Sequence, residues 1–336
     1  MKIRLATCLI AAVAVAGLAP RYAMAQAGDQ SGTAGASYLM VPVTAQSAAL
    51  GASMTASLAT LNGIEALYAN PAGLMQNDGT GVLFSRMNYV ADIGVNTLGA
   101  AHRIGNNNIA LIVTAWDMGE IPLQTEERPE VTELTWEAPI FFVGLSYARQ
   151  FTDRIAAGVT AKVLNETIDD MSASGVAFDA GMTYLVGESG LRFGVSLRNF
   201  GPQMVYSGDG LLREAEGTSR AIPVIGYELP SELNFGASYQ RALGSDASVA
   251  FLGNFRSNAY DTDQYAGGLE FGLREILFLR GGYQIQEDLD DSFYQGWNLG
   301  AGLNLDFTGL LLKIDYAYRS TRFFDSVQMF TASVTL

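Results

Sequence analysis

The sequence predicts an all-β protein, a transmembrane antiparallel β-barrel of about 14 strands with a short N-terminal helical plug. Three observations support this prediction. From Gly79 to Leu336, apolar and polar residues alternate with period two in one segment after another. The joins between these segments are alternately short and long. Ahead of them lies one short Ala-rich helical stretch, which needs a confined apolar space such as the lumen of a closed barrel.

Residues 1–25 are predicted to be an export signal. A positively charged start is followed by the apolar run Leu5–Ala19, which is too short to span a bilayer as a helix. Ala23–Ala25 then fits the small-x-small cleavage rule. The single cysteine of the chain, Cys8, is removed with the signal, so we expect no disulfide and no cysteine metal site in the exported protein.

Composition restricts the class of protein further. The chain has 34 acidic and 20 basic residues and a net charge of −14, which makes nucleic acid a poor partner. No segment after the signal approaches an uninterrupted apolar helix of ~20 residues, so any membrane span must be a β-strand. A charged fraction of only 16% and 37 glycines suit tightly paired membrane strands.

The predicted strands have one apolar and one polar face. In 155–163 the apolar face holds Ile, Ala and Val, and the other face holds Ala156, Gly158, Thr160 and Lys162. A half-buried sandwich also alternates, but its second face does not usually mix glycine with charges of both signs, as a polar, plugged lumen does. The charged residues predicted to face the lumen are Lys162, Asp179, Arg192, Arg198, Glu270, Arg280, Lys313 and Asp315.

The count of strands is even, as bacterial barrels prefer. The predicted strands are 79–91, 93–104, 107–118, 138–150, 153–165, 174–187, 190–200, 231–243, 246–256, 263–274, 275–286, 293–305, 309–319 and 323–336. The longer joins, 119–137, 166–173, 201–230 and 287–292, all fall at one end, and tight turns fall at the other. Short periplasmic turns and long outer loops are the rule for outer-membrane barrels, so we expect both chain ends in the periplasm.

The predicted division of the chain is an export signal, a flexible periplasmic lead-in over 26–37, a plug over 38–78 and the outer-membrane barrel over 79–336. At the centre of the plug, Asn70 is suited to cap a helix, and Pro71 to its first position. A helix packed outside a soluble β-domain is the alternative.

The last strand carries apolar residues at every second position, namely Phe330, Ala332, Val334 and Leu336. This pattern resembles the C-terminal assembly signal of outer-membrane barrels, although Leu336 stands where an aromatic residue is usual. Outer-membrane lipids and the barrel-assembly machinery are therefore the expected partners.

The sequence offers little for catalysis or for a cofactor. The one histidine, His102, lies in a predicted strand, and no G-x-S-x-G motif occurs. The outer joins are acidic, which indicates either a cation-bridged or partner-binding surface or merely a solvated face. Asp288-x-Asp290 lacks the glycine and glutamate of a calcium loop. We therefore predict a protein that is not an enzyme and has no metal and no cofactor.

Two segments of the plug resemble a known family. Ala48–Ala52 (AALGA) and the motif Asn70, Pro71, Ala72, Gly73 and Leu74, followed by strands to the C-terminus, resemble the PorV/PorQ family of FadL-like outer-membrane barrels. The acid-poor stretch 58–63 departs from the pattern of these relatives. The resemblance implies a role in type IX protein secretion or surface attachment, with secretion components and exported substrates as partners.

FadL-type transporters share a similar Asn-Pro-Ala element, so a diffusion channel for hydrophobic small molecules remains the alternative function. A pocket lined by Leu, Phe and Met near the plug, together with a bulged or kinked strand, would favour the channel. A lumen filled by side chains and plug would favour secretion.

Overall fold

The computed structural model describes residues 33–58, 63–122, 135–215, 218–286 and 294–336. The predicted export signal and the predicted Asp288-x-Asp290 loop lie outside these ranges. Within these ranges fourteen long strands form the barrel, and each corresponds to one predicted strand. They are β1 Thr80–Asn88, β2 Gly94–Ile104, β3 Asn107–Asp117, β4 Ile140–Thr152, β5 Ile155–Ile168, β6 Met171–Val186, β7 Leu191–Phe200, β8 Glu232–Leu243, β9 Ala247–Asn258, β10 Gln264–Leu273, β11 Leu277–Gln286, β12 Tyr294–Phe307, β13 Leu310–Thr321 and β14 Val327–Thr335.

The sheet closes on itself, because every strand pairs antiparallel with the next and β1 pairs with β14. The closing register places Gly81 opposite Thr335 and Met87 opposite Met329. The backbones of Thr80 and Leu336 exchange two further hydrogen bonds, of 3.1 and 2.9 Å. A closed barrel has no strand edge to expose to lipid, which is the condition for spanning a bilayer with strands.

Some loops differ from the prediction. The expected join 166–173 is only a turn at Asp169 and Asp170, because β5 and β6 keep their alternation and pairing as far as Ile168 and Met171. The expected join 201–230 contains a short hairpin of Leu212–Ala215 with Thr218–Ala221, and Ser207–Gly208 pairs with the tip of β6.

The outer face of the barrel is apolar. Large side chains such as Val159, Phe251 and Leu299 point outward and are more than half exposed. Contiguous exposed apolar surface of this extent is costly in water and suits the interior of a membrane. The alternating strands therefore turn their apolar faces to lipid and their polar faces to the lumen.

Within the described ranges, no helix combines the length and the apolar character that a membrane-crossing helix requires.

The N-terminal segment lies inside the lumen. It contains a 3₁₀ turn at Ser37–Met40, helix α1 at Ala45–Ala49, helix α2 at Gly63–Leu67 and a 3₁₀ helix at Pro71–Gln76. These elements are too short to be stable alone, so their packing against the barrel holds them. Their side chains are almost all buried.

The segment enters the lumen from the end with the long joins. The N–H of Gly35 donates to the carbonyl of Glu228 at 3.0 Å, and Glu228 belongs to the long join between β7 and β8. The described part of the predicted periplasmic lead-in, 33–37, thus lies at the opposite end from the one expected. The plug runs through the lumen from the end with the long joins to the end with the tight turns, where β1 begins.

Glycines on the lumen face let the plug approach the wall. A Cβ at Gly158 would lie 2.6 Å from the carbonyl carbon of Pro71, and a Cβ at Gly236 would lie 2.7 Å from the amide nitrogen of Ala56. Real Cβ atoms do not approach backbone this closely, so both positions require glycine. The lumen-facing glycines therefore match the path of the plug.

Candidate functional site

Asn70 ties the parts of the plug to each other and to the barrel. Its Oδ1 accepts from the N–H of Ala72 at 3.0 Å, with Pro71 in the first turn of the 3₁₀ helix. Its Nδ2 donates to the carbonyl of Thr55 at 2.8 Å and to the carbonyl of Met182, in β6, at 3.2 Å. Asn70 is fully buried, so it is both a helix cap and a bridge between plug and wall.

The rest of the motif is anchored from β3. Nδ2 of Asn108 donates to the carbonyls of Leu74 and Asn77, both at 3.0 Å. Gly73 packs so closely on α2 that a Cβ there would lie 2.5 Å from the Cβ of Ala66. The motif is therefore the point at which the 3₁₀ helix, α2 and the wall meet.

A group of charged side chains lies around α1. Nε of Arg280 pairs with Glu270 at 2.7 Å, and the same guanidinium also pairs with Asp315. Gln46 of α1 donates to Glu270 at 3.2 Å. All of these side chains are buried, so the pairing offsets part of the cost of burying the charges, and Gln46 ties α1 to them.

Glu65 of α2 lies near the same group of charges. It is fully buried, and neither carboxylate oxygen has a hydrogen-bond partner within the described residues. Burial, and then the nearby Asp315, raise the pKa of Glu65 to about 8. A neutral Glu65 leaves the cluster balanced, with the charges of Arg280 and Lys313 matched by those of Glu270 and Asp315.

A second polar group lies beside a β-bulge in the wall. Nζ of Lys162 lies 2.7 Å from Asp179 and donates to Asn199 at 2.7 Å, and the N–H of Asn199 donates to Asp179 at 2.8 Å. Here the register of β6 and β7 shifts between Phe178 and Ala180. Asn199 has φ of +57°, so the bulge is stabilised by this side-chain network.

A partly enclosed cavity of about 20 Å³ lies between the plug and this part of the wall. Its polar side is formed by Lys162 and Asp179. Its remaining lining is mostly apolar and comes from both the plug and the strands, namely Leu39, Leu67, Tyr68, Ile112 and Phe142, with Thr160. The space holds about one water molecule, so a larger solute fits only if the plug shifts.

Aromatic side chains cluster at the end of the barrel with the long joins, which we call the aromatic mouth. The hydroxyls of Tyr206 and Tyr227 both donate to Oε2 of Glu166, at 2.7 and 2.8 Å. Burial, and then the hydrogen bond to Glu166, raise the pKa of both tyrosines. The ring of Tyr38 packs edge-on against Trp116, with centroids 6.0 Å apart. The contacts of Tyr206 and Tyr227 with Glu166 therefore hold the join between β7 and β8 at the end of the barrel where the plug begins.

The other predicted residues lie as follows. Phe330, Ala332 and Val334 share the outward face of β14, and the exposed Leu336 follows the strand directly. Their role in assembly stays a prediction. His102 is exposed on the outer face, and its Nδ1 lies 2.8 Å from Oγ1 of Thr80.

The eight charged residues predicted to face the lumen do so, and all but Arg192 are buried. The described acidic loop residues Glu120, Glu137, Asp169, Asp170 and Asp209 are exposed.

No group of side chains that could hold a metal ion occurs among the described residues. The sequence prediction did not include Asn108, Asn199 or Glu166. The only available signal was their polar character on lumen-facing positions of alternating strands. Nothing in the sequence indicated which plug carbonyls or hydroxyls they would contact.

No family model matches the chain, and neither does any curated protein. Solved structures do resemble it. The monoaromatic hydrocarbon channel CymD is 14% identical with a TM-score of 0.55, over 88% of this chain and 96% of that one. The toluene transporter TodX of Pseudomonas putida is 12% identical with a TM-score of 0.53, over 86% of this chain and 96% of that one. This likeness shows the fold alone, which CymD and TodX share with this chain.

Proposed function

We propose that this barrel is an outer-membrane channel through which hydrophobic small molecules diffuse. The observation that carries the proposal is the cavity between Leu39, Leu67, Ile112 and Phe142, which lies where the pairing of β6 and β7 is interrupted. An apolar space beside a plug and a bulged wall is what a hydrophobic solute needs. The buried rings of Tyr38 and Trp116 add apolar side chains at the mouth with the long joins.

The structural likeness supports the same function. CymD and TodX are described as a monoaromatic hydrocarbon channel and a toluene transporter, and both have this fold. A solute of that kind is larger than the cavity, so we propose that it passes when the plug moves out of its docked position. The plug is held by separate polar contacts, such as those of Asn70 and Gln46, which can break one at a time.

A second candidate function, the PorV/PorQ role in type IX secretion, has one observation in its favour. The described plug residues are almost all buried within the barrel, which suits a barrel that acts through its outer loops. The likeness to hydrocarbon channels supports it less well. In that case the loops between β3 and β4 and between β7 and β8 would contact secretion components or exported substrates.

One experiment separates the two functions. Gly144 of β4 lies next to two residues that line the cavity. A Cβ at Gly144 would lie 2.9 Å from Ile112 and 3.4 Å from Thr160. Gly144→Leu should therefore fill the cavity. Gly253→Leu is the matched control, because a Cβ at Gly253 meets nothing within 4 Å.

Cells that produce each variant are tested for uptake of labelled toluene and for display of surface proteins. The channel function predicts that Gly144→Leu lowers uptake, that Gly253→Leu does not, and that display is unchanged. Normal uptake by Gly144→Leu together with a loss of display on exchanging the outer loops would favour secretion instead.

A further inference from the structure

A second, larger space opens at the end of the barrel with the tight turns. This cleft has a volume of about 340 Å³ and lies between the plug at Ser57 and Leu58 and the wall formed by β6, β7 and β8. Leu185 adds a second apolar side chain, and Arg192 of β7 faces into the same region. The cleft lies on the opposite side of the plug from the aromatic mouth, so it is separate from the cavity described above.

Two hydrogen-bond donors of this cleft have no partner among the described residues. They are Oγ of Ser57, a fully buried residue, and the buried Nη1 of Arg192. No carboxylate among the described residues pairs with Arg192. Every other lumen-facing lysine or arginine in the described ranges has a polar or charged partner.

The backbone at Ser57 is held in an unfavourable conformation. Its φ is +62°, in the left-handed region that residues with a Cβ rarely adopt. The N–H of Ser57 donates to the carbonyl of Met54, and its carbonyl accepts from Oγ of Ser238, both at 2.8 Å. These bonds fix Ser57 at the cleft, and strained residues of this kind are concentrated at functional sites.

From these contacts we infer that the cleft binds a small organic monoanion, an acid group attached to an apolar body. The acid group would accept from Arg192 and Ser57 and would supply the negative charge that Arg192 lacks. Leu58 and Leu185 would contact the apolar body. Glu188 lies exposed at the rim of the cleft and repels a second negative charge, which favours a monoanion.

This inference goes beyond the proposed function, because it names a ligand for a cleft that is separate from the cavity. Binding is measured without transport. Purified protein in a neutral detergent is titrated by calorimetry with benzoate, with its neutral counterpart benzamide and with inorganic phosphate. Unchanged heat-dependent gel mobility establishes that each variant is folded.

Benzoate should bind at one site and more tightly than benzamide or phosphate. Arg192→Gln should weaken benzoate binding by about tenfold to a hundredfold, because a charged hydrogen bond is lost. Ser57→Ala should weaken it less, and Glu188→Gln should strengthen it. Arg241→Gln is the matched control, because Arg241 is exposed on the outer face of β8 near the same end.

Equal affinity for benzoate and benzamide, or unchanged binding by Arg192→Gln, would overturn the inference. If phosphate bound as tightly as benzoate, the part of the inference that requires an apolar body on the ligand would be wrong. These results say nothing about the passage of neutral hydrocarbons, which toluene uptake tests separately.

Discussion

Replacing Asn70 should release the plug and leave the barrel intact. Asn70→Ala removes a helix cap, worth about 1 kcal/mol. It also leaves the buried carbonyl of Thr55 without its donor, at a cost of about 1–3 kcal/mol. Counting only these two contacts, the docked plug loses about 2–4 kcal/mol. The fraction of open plug should then rise by about 30- to 700-fold, at tenfold for each 1.4 kcal/mol.

A cysteine at Ala69 reports this opening. Ala69 is a buried plug residue, and the only native cysteine is Cys8, within the predicted export signal. In Ala69→Cys protein, the rate of alkylation by a maleimide follows the open fraction if the plug recloses quickly. Asn106→Ala, in the exposed turn between β2 and β3, is the matched control and should not change the rate.

A second substitution separates the two roles of Asn70. Aspartate caps helices as well as asparagine does, so Asn70→Asp would be harmless if capping were the only role. In this structure it should open the plug at least as much as Asn70→Ala, because a carboxylate would face the carbonyls of Thr55 and Met182. An alkylation rate equal to that of the wild type in both variants would refute this account of the motif.

Three further predictions concern the plug and the last strand. Gly158→Ala places a Cβ against Pro71 and should speed alkylation without changing the heat-dependent gel mobility of the closed barrel, whereas Gly253→Ala should change neither. Because burial raises the pKa of Glu65 from 4.5 to about 8, the docked plug holds a proton that the open plug releases. Plug opening should therefore increase as the pH rises between these two values, and a variant Glu65→Gln that keeps the same slope would contradict this. Deleting 330–336 should prevent membrane insertion, since β1 and β13 would lose their partner and leave backbone groups unpaired in lipid at several kcal/mol each; normal insertion of the shortened chain would argue against it.

The strands could be predicted because alternation is a local property of the sequence. All fourteen are found where apolar and polar residues alternate, and the lumen charges such as Arg280 face inward as their positions require. The cap at Asn70 was also visible, because capping depends on a few neighbouring residues.

Features that depend on distant contacts could not be predicted. The pairing of Arg280 with both Glu270 and Asp315 joins three strands, and nothing local selects these partners among the many lumen charges. The bulge at Asn199 depends on Lys162 and Asp179 in other strands. The direction of the plug depends on where residues 33–37 find backbone partners, and Glu228 is almost two hundred positions away in the sequence.

The most direct test is whether hydrocarbon flux requires the plug to move. Leu50 of the plug faces Gly268 of β10. A Cβ at Gly268 would lie 3.3 Å from the Cβ of Leu50, slightly closer than the disulfide spacing of about 3.5–4.5 Å, and 2.7 Å from Oγ of Ser53, so the side chain of Ser53 must rotate. The variant Leu50→Cys with Gly268→Cys is reconstituted into lipid vesicles, and labelled toluene flux is measured before and after reduction. We expect flux above that of protein-free vesicles only when the disulfide is reduced. Flux through wild-type protein no faster than through protein-free vesicles, or equal flux in the oxidised and reduced variant, would contradict a channel opened by its plug.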